Sequence, residues 1–155
     1  MLLFLDVDGP LIPFGGPDPY PLYGPPAPHP LLSRLDPALG PRLLALGCEL
    51  VWATTWGEDA NTVVGPWLGL PPLPVLDPDD DPPVPGVHWK TRPVLSRAAG
   101  RPFVWLDDEI TPADREYVDA GHPAPALLHR VDPQRGLTRE DFEAVKTWLP
   151  RRPLT

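Results

Sequence analysis

Residues 2–9, LLFLDVDG, decide the fold, because a short and almost wholly apolar run ends here in two aspartates and a glycine. Such a run is typical of a strand buried on both faces of a parallel sheet. Burying an unpaired carboxylate is costly, so Asp6 and Asp8 need a reason to follow the strand. A turn at Gly9 would bring both carboxylates around one ligand, where they would divide nucleophilic and acid–base work. Taken alone, the stretch also fits a strand that ends in a solvated acidic turn.

Further apolar runs alternate with helical patterns along the rest of the chain. The expected strands are 48–54, 102–107 and 126–131, with a short edge strand at 73–76. The expected helices are 31–46, broken or kinked by its prolines, and 57–68, 91–99, 112–120 and 138–149. This alternation predicts an α/β fold of three layers, Rossmann-like, around a central and mostly parallel sheet. In such sheets the functional site lies at the carboxyl ends of the strands.

Three other strand or helix ends carry residues suited to phosphate chemistry. Thr54 and Thr55 end the second strand, where a hydroxyl and backbone amides suit a phosphoryl oxygen, although an ordinary helix cap fits as well. Lys90 precedes a predicted helix and is one of only two lysines, so it is a candidate for neutralising an anion, with a surface lysine as the alternative. Asp107 and Asp108 end a strand and repel each other unless a cation balances them, and oxygen ligands suit Mg2+. A helix-capping acidic turn is the alternative there.

The order of these motifs resembles that of the haloacid dehalogenase (HAD) superfamily, whose members are mostly phosphatases. The resemblance spans residues 1 to about 149, and the first and fourth motifs are the specific ones. The four matching segments are LLFLDVDGPL, LVWATTW, HWKTR and FVWLDDE. One departure is Pro10, which lacks a backbone N–H and stiffens the loop.

The resemblance implies a role for each acid. Asp6 would attack phosphorus and form an aspartyl-phosphate, while Asp8 would protonate the leaving group and then activate water. Asp6, the backbone carbonyl of Asp8, and Asp107 would bind Mg2+, with Asp108 binding directly or through water. Dehalogenating relatives lack the second aspartate of the first motif, so its presence here favours phosphate chemistry.

The resemblance also implies the groups that would contact the phosphoryl group. Thr54 would hold one of its oxygens, with Thr55 as the alternative, and Lys90 would stabilise the charge. The backbone at Gly9 is a further candidate for substrate binding. Trp56 and Asn61 follow the second motif and are candidates for lining the pocket.

The loops predict a single domain, 1–155, with a minimal cap or none. About two dozen residues separate Asp8 from the helical stretch at 31, which is too few for a folded cap domain. The Pro-rich segment 13–30 is expected to form a rigid flap, and 77–86 an acidic Pro-rich loop. Capless members of the superfamily often act on large substrates, so the resemblance makes a macromolecular phosphorylated substrate a candidate.

Composition narrows the partners and the compartment. The net charge of −8 disfavours strong binding to nucleic acid or to anionic membranes. The single cysteine, Cys48, excludes an internal disulfide, and no apolar run is long enough to span a membrane. The expected compartment is the cytoplasm.

These observations favour a Mg2+-dependent phosphomonoesterase. Two other functions use the same residues: a noncatalytic module that binds phosphate or a partner, and a phosphotransferase that passes the phosphoryl group from the aspartate to a hydroxyl acceptor.

Overall fold

A parallel four-stranded sheet in the order β2-β1-β3-β4 forms the centre of the fold in a computed structural model that describes residues 1–24, 31–78 and 82–150. The strands are β1 (Leu2–Leu5), β2 (Glu49–Trp52), β3 (Phe103–Asp107) and β4 (Ala126–Arg130). Leu5 of β1 pairs with Trp52 of β2 and with Leu106 of β3, so the carboxyl ends of these three strands lie side by side. The predicted α/β class is confirmed.

Helices cover both faces of the sheet. They are α1 (Leu39–Ala45), α2 (Gly65–Leu68), α3 (Thr91–Ala98), α4 (Pro112–Gly121) and α5 (Arg139–Trp148), with a 3-10 helix at Leu32–Arg34. One face of β1, through Leu3 and Leu5, packs in a core cluster with residues of α1, α2 and α5. The other face, through Leu2 and Phe4, packs with residues of α3 and α4. The three layers expected from the sequence are therefore present.

Prolines account for most departures from the predicted elements. The expected helix 57–68 is a π-helical turn at Ala60–Val64 followed by the single turn of α2, because Pro66 cannot donate a helical hydrogen bond. The expected strand 73–76 is wrong: only an isolated bridge joins Val75 to Trp52. Pro74, one residue before Val75, has no N–H for a ladder.

The described part of the Pro-rich flap is tied to the loop that follows β4. The Phe14 N–H donates to the Pro133 carbonyl at 2.8 Å, and the Tyr20 hydroxyl donates to the Gln134 carbonyl at 3.0 Å. Residues 13–24 hold no helix or strand. Positions 25–30 of the flap, and 79–81 of the acidic loop, lie outside the described residues. Within the described ranges, no helix has the length and apolar character needed to cross a membrane.

Candidate active site

Two acidic strand ends meet at the middle of the sheet. Asp6 directly follows β1 and Asp107 is the last residue of β3, the neighbouring strand. The Asp6 N–H donates to the Leu106 carbonyl at 3.1 Å, which continues the ladder to the point where the carboxylates begin. The parallel register thus places both acids at one edge, where α/β folds bind ligands.

Lys90 reaches the same point from the start of α3. Its ammonium lies 2.8 Å from Asp107 Oδ2 and 3.1 Å from Asp6 Oδ1, and all three side chains are buried. Asp108 completes the group, because one carboxylate oxygen from each of Asp6, Asp107 and Asp108 lies within 4.8 Å of the others. The structure therefore brings together four of the residues predicted from separate motifs.

The buried charges shift one another's pKa values. Burial, together with repulsion from Asp107, raises the pKa of Asp6 to about 8 even though Lys90 lowers it. Burial and the same neighbour raise the pKa of Asp108 to about 6. Burial alone would lower the pKa of Lys90, but its attraction to Asp6 and Asp107 outweighs burial and raises that pKa. Negative charge at this site is thus incompletely balanced by one lysine.

A divalent cation fits this arrangement. Three carboxylates against one ammonium leave an excess of negative charge, and the oxygen atoms are close enough to share one ion. Hard oxygen donors of this kind are the ligands of Mg2+. Asp6, Asp107 and Asp108 are the residues that would hold it; the Asp8 carboxylate does not belong to this cluster, and the role of the Asp8 carbonyl stays a prediction.

Gly9 permits the close approach of Asp108. Its φ of +98° is a conformation that side chains rarely adopt, and a Cβ built on it would lie 2.7 Å from Asp108 Cγ. Its N–H donates to the Ile12 carbonyl at 2.9 Å, within the loop itself. Position 9 thus requires a glycine because a side chain would clash with Asp108 and because φ is positive. Its contact with substrate stays a prediction.

Asp8 is held by a residue of the second motif. Trp56 Nε1 donates to Asp8 Oδ2 at 3.1 Å, and the Trp56 N–H donates to the hydroxyl of the buried Thr54 at 3.2 Å. Trp56 therefore contacts two of the predicted catalytic residues. This hydrogen bond to Asp8 gives Trp56 a positioning function that the motif alone did not specify.

The other candidates near the second motif differ in their surroundings. Thr55 is exposed and lines, with Thr54, an open cleft of about 700 Å³ beside the site. The Asn61 side chain instead accepts from Trp52 Nε1 and from the Leu73 N–H and donates to the Leu73 carbonyl. These bonds tie the end of β2 to the segment beyond α2, so the structure shows a structural function for Asn61, and its substrate contact stays a prediction.

Asp114 is a site-building residue that the sequence argument missed. It is fully buried on α4 and accepts hydrogen bonds from the His88 N–H at 2.7 Å and the Thr91 hydroxyl at 2.8 Å, which flank Lys90. It also accepts from the Thr111 N–H at 2.9 Å as the third residue of a capping box. The T-P-A-D pattern at 111–114 predicts that capping box, but only the fold shows that the same carboxylate anchors the segment carrying the lysine.

A model of a known family matches residues 2–142, nearly the whole chain; its description is HAD domain in Swiss Army Knife RNA repair proteins. Comparison with curated proteins and with solved structures gives no significant match.

Proposed function

Because the chain belongs to the family of HAD domains in Swiss Army Knife RNA repair proteins, we propose that it is a Mg2+-dependent phosphomonoesterase that works through an aspartyl-phosphate. The family and the acidic cluster at the strand ends indicate a phosphoesterase-type activity. The metal, the intermediate and the substrate are the parts that we propose.

One observation carries the proposal: the Lys90 ammonium bridges Asp6 and Asp107 at the carboxyl ends of two adjacent parallel strands. A phosphoryl group at this point would find a nucleophile, an ammonium and a metal-binding cluster within one small volume. Phosphoryl transfer needs little more than positioning and the neutralisation of charge, so this composition suits the reaction.

The first step is attack by a carboxylate oxygen of Asp6 on phosphorus. The bond between phosphorus and the leaving oxygen breaks, and the Asp6–phosphorus bond forms. Asp8 gives its proton to the leaving oxygen, held for that task by the indole N–H of Trp56. Lys90 stabilises the charge on the phosphoryl oxygens, and the Thr54 hydroxyl holds one of them.

The second step returns the enzyme to its starting state. Asp8, now a carboxylate, takes a proton from water, and the resulting hydroxide attacks phosphorus and releases Asp6. Mg2+ bound by Asp6, Asp107 and Asp108 would supply further neutralisation of the phosphoryl charge. The open cleft beside the site suits a substrate that extends beyond the phosphate.

The test is phosphate release by the purified protein, with Mg2+ and with EDTA. The substrates are an aryl phosphate and short RNAs carrying a 5′ or 3′ terminal phosphate, since the family description names RNA repair. Asp6→Asn should lower kcat by more than about 10³-fold, the scale seen when a nucleophile is removed. Asp119→Asn, which changes an exposed acid on α4, is the matched control and should keep the wild-type rate.

Each arm can contradict a different part of the proposal. Undiminished turnover by Asp6→Asn would show that Asp6 is not the nucleophile. Turnover unaffected by EDTA would show that the reaction needs no divalent metal. Mg2+ binding without turnover on any of these substrates would favour a noncatalytic module. Transfer of phosphate to an added alcohol in place of water would favour a phosphotransferase.

A further inference from the structure

Trp89 presents a large aromatic surface at the edge of the site. It is 42% exposed, unlike the buried residue that follows it, Lys90. The centroid of its ring lies 5.9 Å from the Lys90 ammonium, which in turn lies 3.1 Å from the Asp6 carboxylate. An exposed indole next to a catalytic lysine is costly to leave in water and is well placed to contact a substrate.

The indole is carried by a backbone that is fixed on both sides. The His88 N–H is bonded to the buried Asp114, and the Lys90 side chain is bonded to Asp6 and Asp107. The ring of His88 also packs beside the Trp89 ring, with centroids 5.9 Å apart and planes tilted by 30°. A surface held in this way loses little conformational freedom when a ligand binds.

The same ring borders the open cleft that is also lined by Thr54, the residue expected to hold a phosphoryl oxygen. Thr54 and Thr55 line this cleft together with Trp89 and Arg97. Within the described residues, the Arg97 guanidinium makes no hydrogen bond or ion pair. The cleft thus offers hydroxyls, an aromatic face and a cation in one connected space of about 700 Å³.

We propose that Trp89 stacks on the base of the terminal nucleotide of an RNA strand whose terminal phosphate is bound at Asp6. This inference rests on the proposed function and names the residue that would hold the terminal base of its substrate. A nucleotide joins a phosphate to a flat ring through one sugar. The site likewise offers an aromatic ring whose centroid lies 5.9 Å from the ammonium that contacts the Asp6 carboxylate. Every base has a face that can stack, so the contact selects a nucleotide without selecting a sequence.

The charge of the protein limits the contact to the end of the strand. Glu58 and Asp77 also border the cleft and would repel a backbone that ran across it. The net charge of −8 argues in the same direction. With only one or two phosphates neutralised, log K should fall with log salt concentration with a slope of about −1, far shallower than for a protein that tracks the backbone.

A phosphopeptide is the competing substrate. Phosphoserine and phosphothreonine have no ring to stack, and in phosphotyrosine the ring is bonded directly to the phosphate oxygen. A nucleotide, in contrast, carries a ring that a sugar separates from its phosphate, which suits an indole 5.9 Å from the ammonium that contacts Asp6.

The experiment measures kcat/KM on RNA oligonucleotides whose terminal phosphorylated residue is a normal nucleotide or an abasic one, at each end in turn. The wild-type protein should prefer the normal nucleotide by about tenfold or more, within the range for one base on an aromatic ring. Trp89→Ala should bring this ratio close to one, and Trp89→Phe should keep most of it. Phe14→Ala removes an aromatic side chain of similar exposure, 44%, from the flap and should leave the ratio unchanged.

The outcomes separate this inference from the proposed function. Turnover of the aryl phosphate by the wild-type protein with a ratio near one would overturn the stacking contact and leave the phosphatase standing. A higher kcat/KM on a phosphopeptide than on RNA would overturn the substrate class, and equal loss of the ratio in Trp89→Ala and Phe14→Ala would overturn the assignment to Trp89. Absence of turnover on every substrate would contradict the proposed function itself. The wild-type ratio needs no variant, so a Trp89→Ala protein that fails to fold leaves the test intact.

Discussion

Replacing Asp114 by Asn should weaken the fold and the site together, although Asp114 lies outside the cluster of Asp6, Asp107 and Asp108. Its Oδ1 accepts from the His88 N–H and the Thr91 hydroxyl, and its Oδ2 accepts from the Thr111 N–H and hydroxyl. The hydroxyls can rotate to become acceptors, but the two backbone N–H groups cannot. Whichever way an Asn side chain turns, its NH2 group must face one of them.

The magnitude follows from this conflict. One backbone N–H loses its acceptor, and the remaining bonds lose the negative charge that strengthens them. Together these losses should cost about 2–3 kcal/mol of unfolding free energy. The segment that carries Lys90 would also lose its anchor, and a small displacement of a catalytic group should lower kcat by about tenfold or more.

Asp141→Asn is the matched control. Asp141 occupies the same position in the capping box of α5, where it accepts from the Thr138 N–H and contacts His129 Nε2 at 2.7 Å. An Asn amide can donate to a neutral imidazole nitrogen, so this variant should lose only about 1 kcal/mol. Its kcat should be unchanged, because α5 carries no residue of the site.

Urea denaturation and phosphate release, measured on both variants, check the prediction. Equal loss of stability in the two proteins would refute the argument from the backbone donors. A large loss of stability in Asp114→Asn with wild-type kcat at a temperature where it stays folded would refute the link to Lys90.

The contribution of Asp114 to stability should depend on pH in a direction set by its pKa shift. Burial would raise the pKa of Asp114, but the hydrogen bonds from His88, Thr111 and Thr91 outweigh burial and lower it below 3.8. The carboxylate therefore stabilises the fold above the unfolded pKa, and this contribution is lost as pH falls through the folded pKa. The difference in stability between wild type and Asp114→Asn should be constant from pH 8 to about 5 and shrink below pH 3.8. A difference that grows in acid would contradict the direction of the shift.

Three further substitutions test the site directly. Trp56→Phe removes the hydrogen bond to Asp8 and should lower kcat about tenfold with little change in KM. This loss is a part of the one expected if the acid–base group itself were removed. A raised KM at constant kcat would contradict the prediction. Gly9→Ala places a methyl group against Asp108 and puts an alanine in a strained backbone conformation, which should cost about 1–3 kcal/mol of stability. The variant should also bind Mg2+ more weakly in calorimetry, and an unchanged affinity would count against the proposed role of the glycine. Lys90→Met leaves Asp6 and Asp107 without their cation and should destabilise the protein by about 3–5 kcal/mol. Mg2+ should stabilise this variant more than it stabilises the wild type, and equal stabilisation in melting curves with and without the ion would contradict this.

The sequence was most informative where strands end. An apolar run that finishes in acids admits few physical explanations, so Asp6, Asp107 and Asp108 could be predicted to share a site before their distances were known. Lys90 was weaker as a prediction, because a single lysine before a helix has an ordinary surface alternative. Its burial between Asp6 and Asp107 excludes the surface alternative, while its role in catalysis stays a prediction.

What the sequence could not show are contacts between distant segments. The bond from Trp56 to Asp8 spans 48 positions, and the anchor from Asp114 to His88 spans 26. Local patterns describe one helix or strand at a time, and these contacts depend on how several of them pack. The π-helical turn at Ala60–Val64 is also invisible to a periodicity of 3.6 residues, and the bridge at Val75 depends on which prolines face the sheet.

That bridge has a consequence for the behaviour of the molecule at high concentration. β2 is an edge strand of the sheet. The Trp52 N–H donates to the Pro74 carbonyl at 2.9 Å, and the Leu76 N–H donates to the Trp52 carbonyl at 2.7 Å. The segment that covers this edge contains prolines, which have no N–H to donate to a further strand. A second chain therefore finds no continuous row of donors at this edge. The prolines that prevent a strand at 73–76 thus also protect the β2 edge of the sheet from pairing with another molecule.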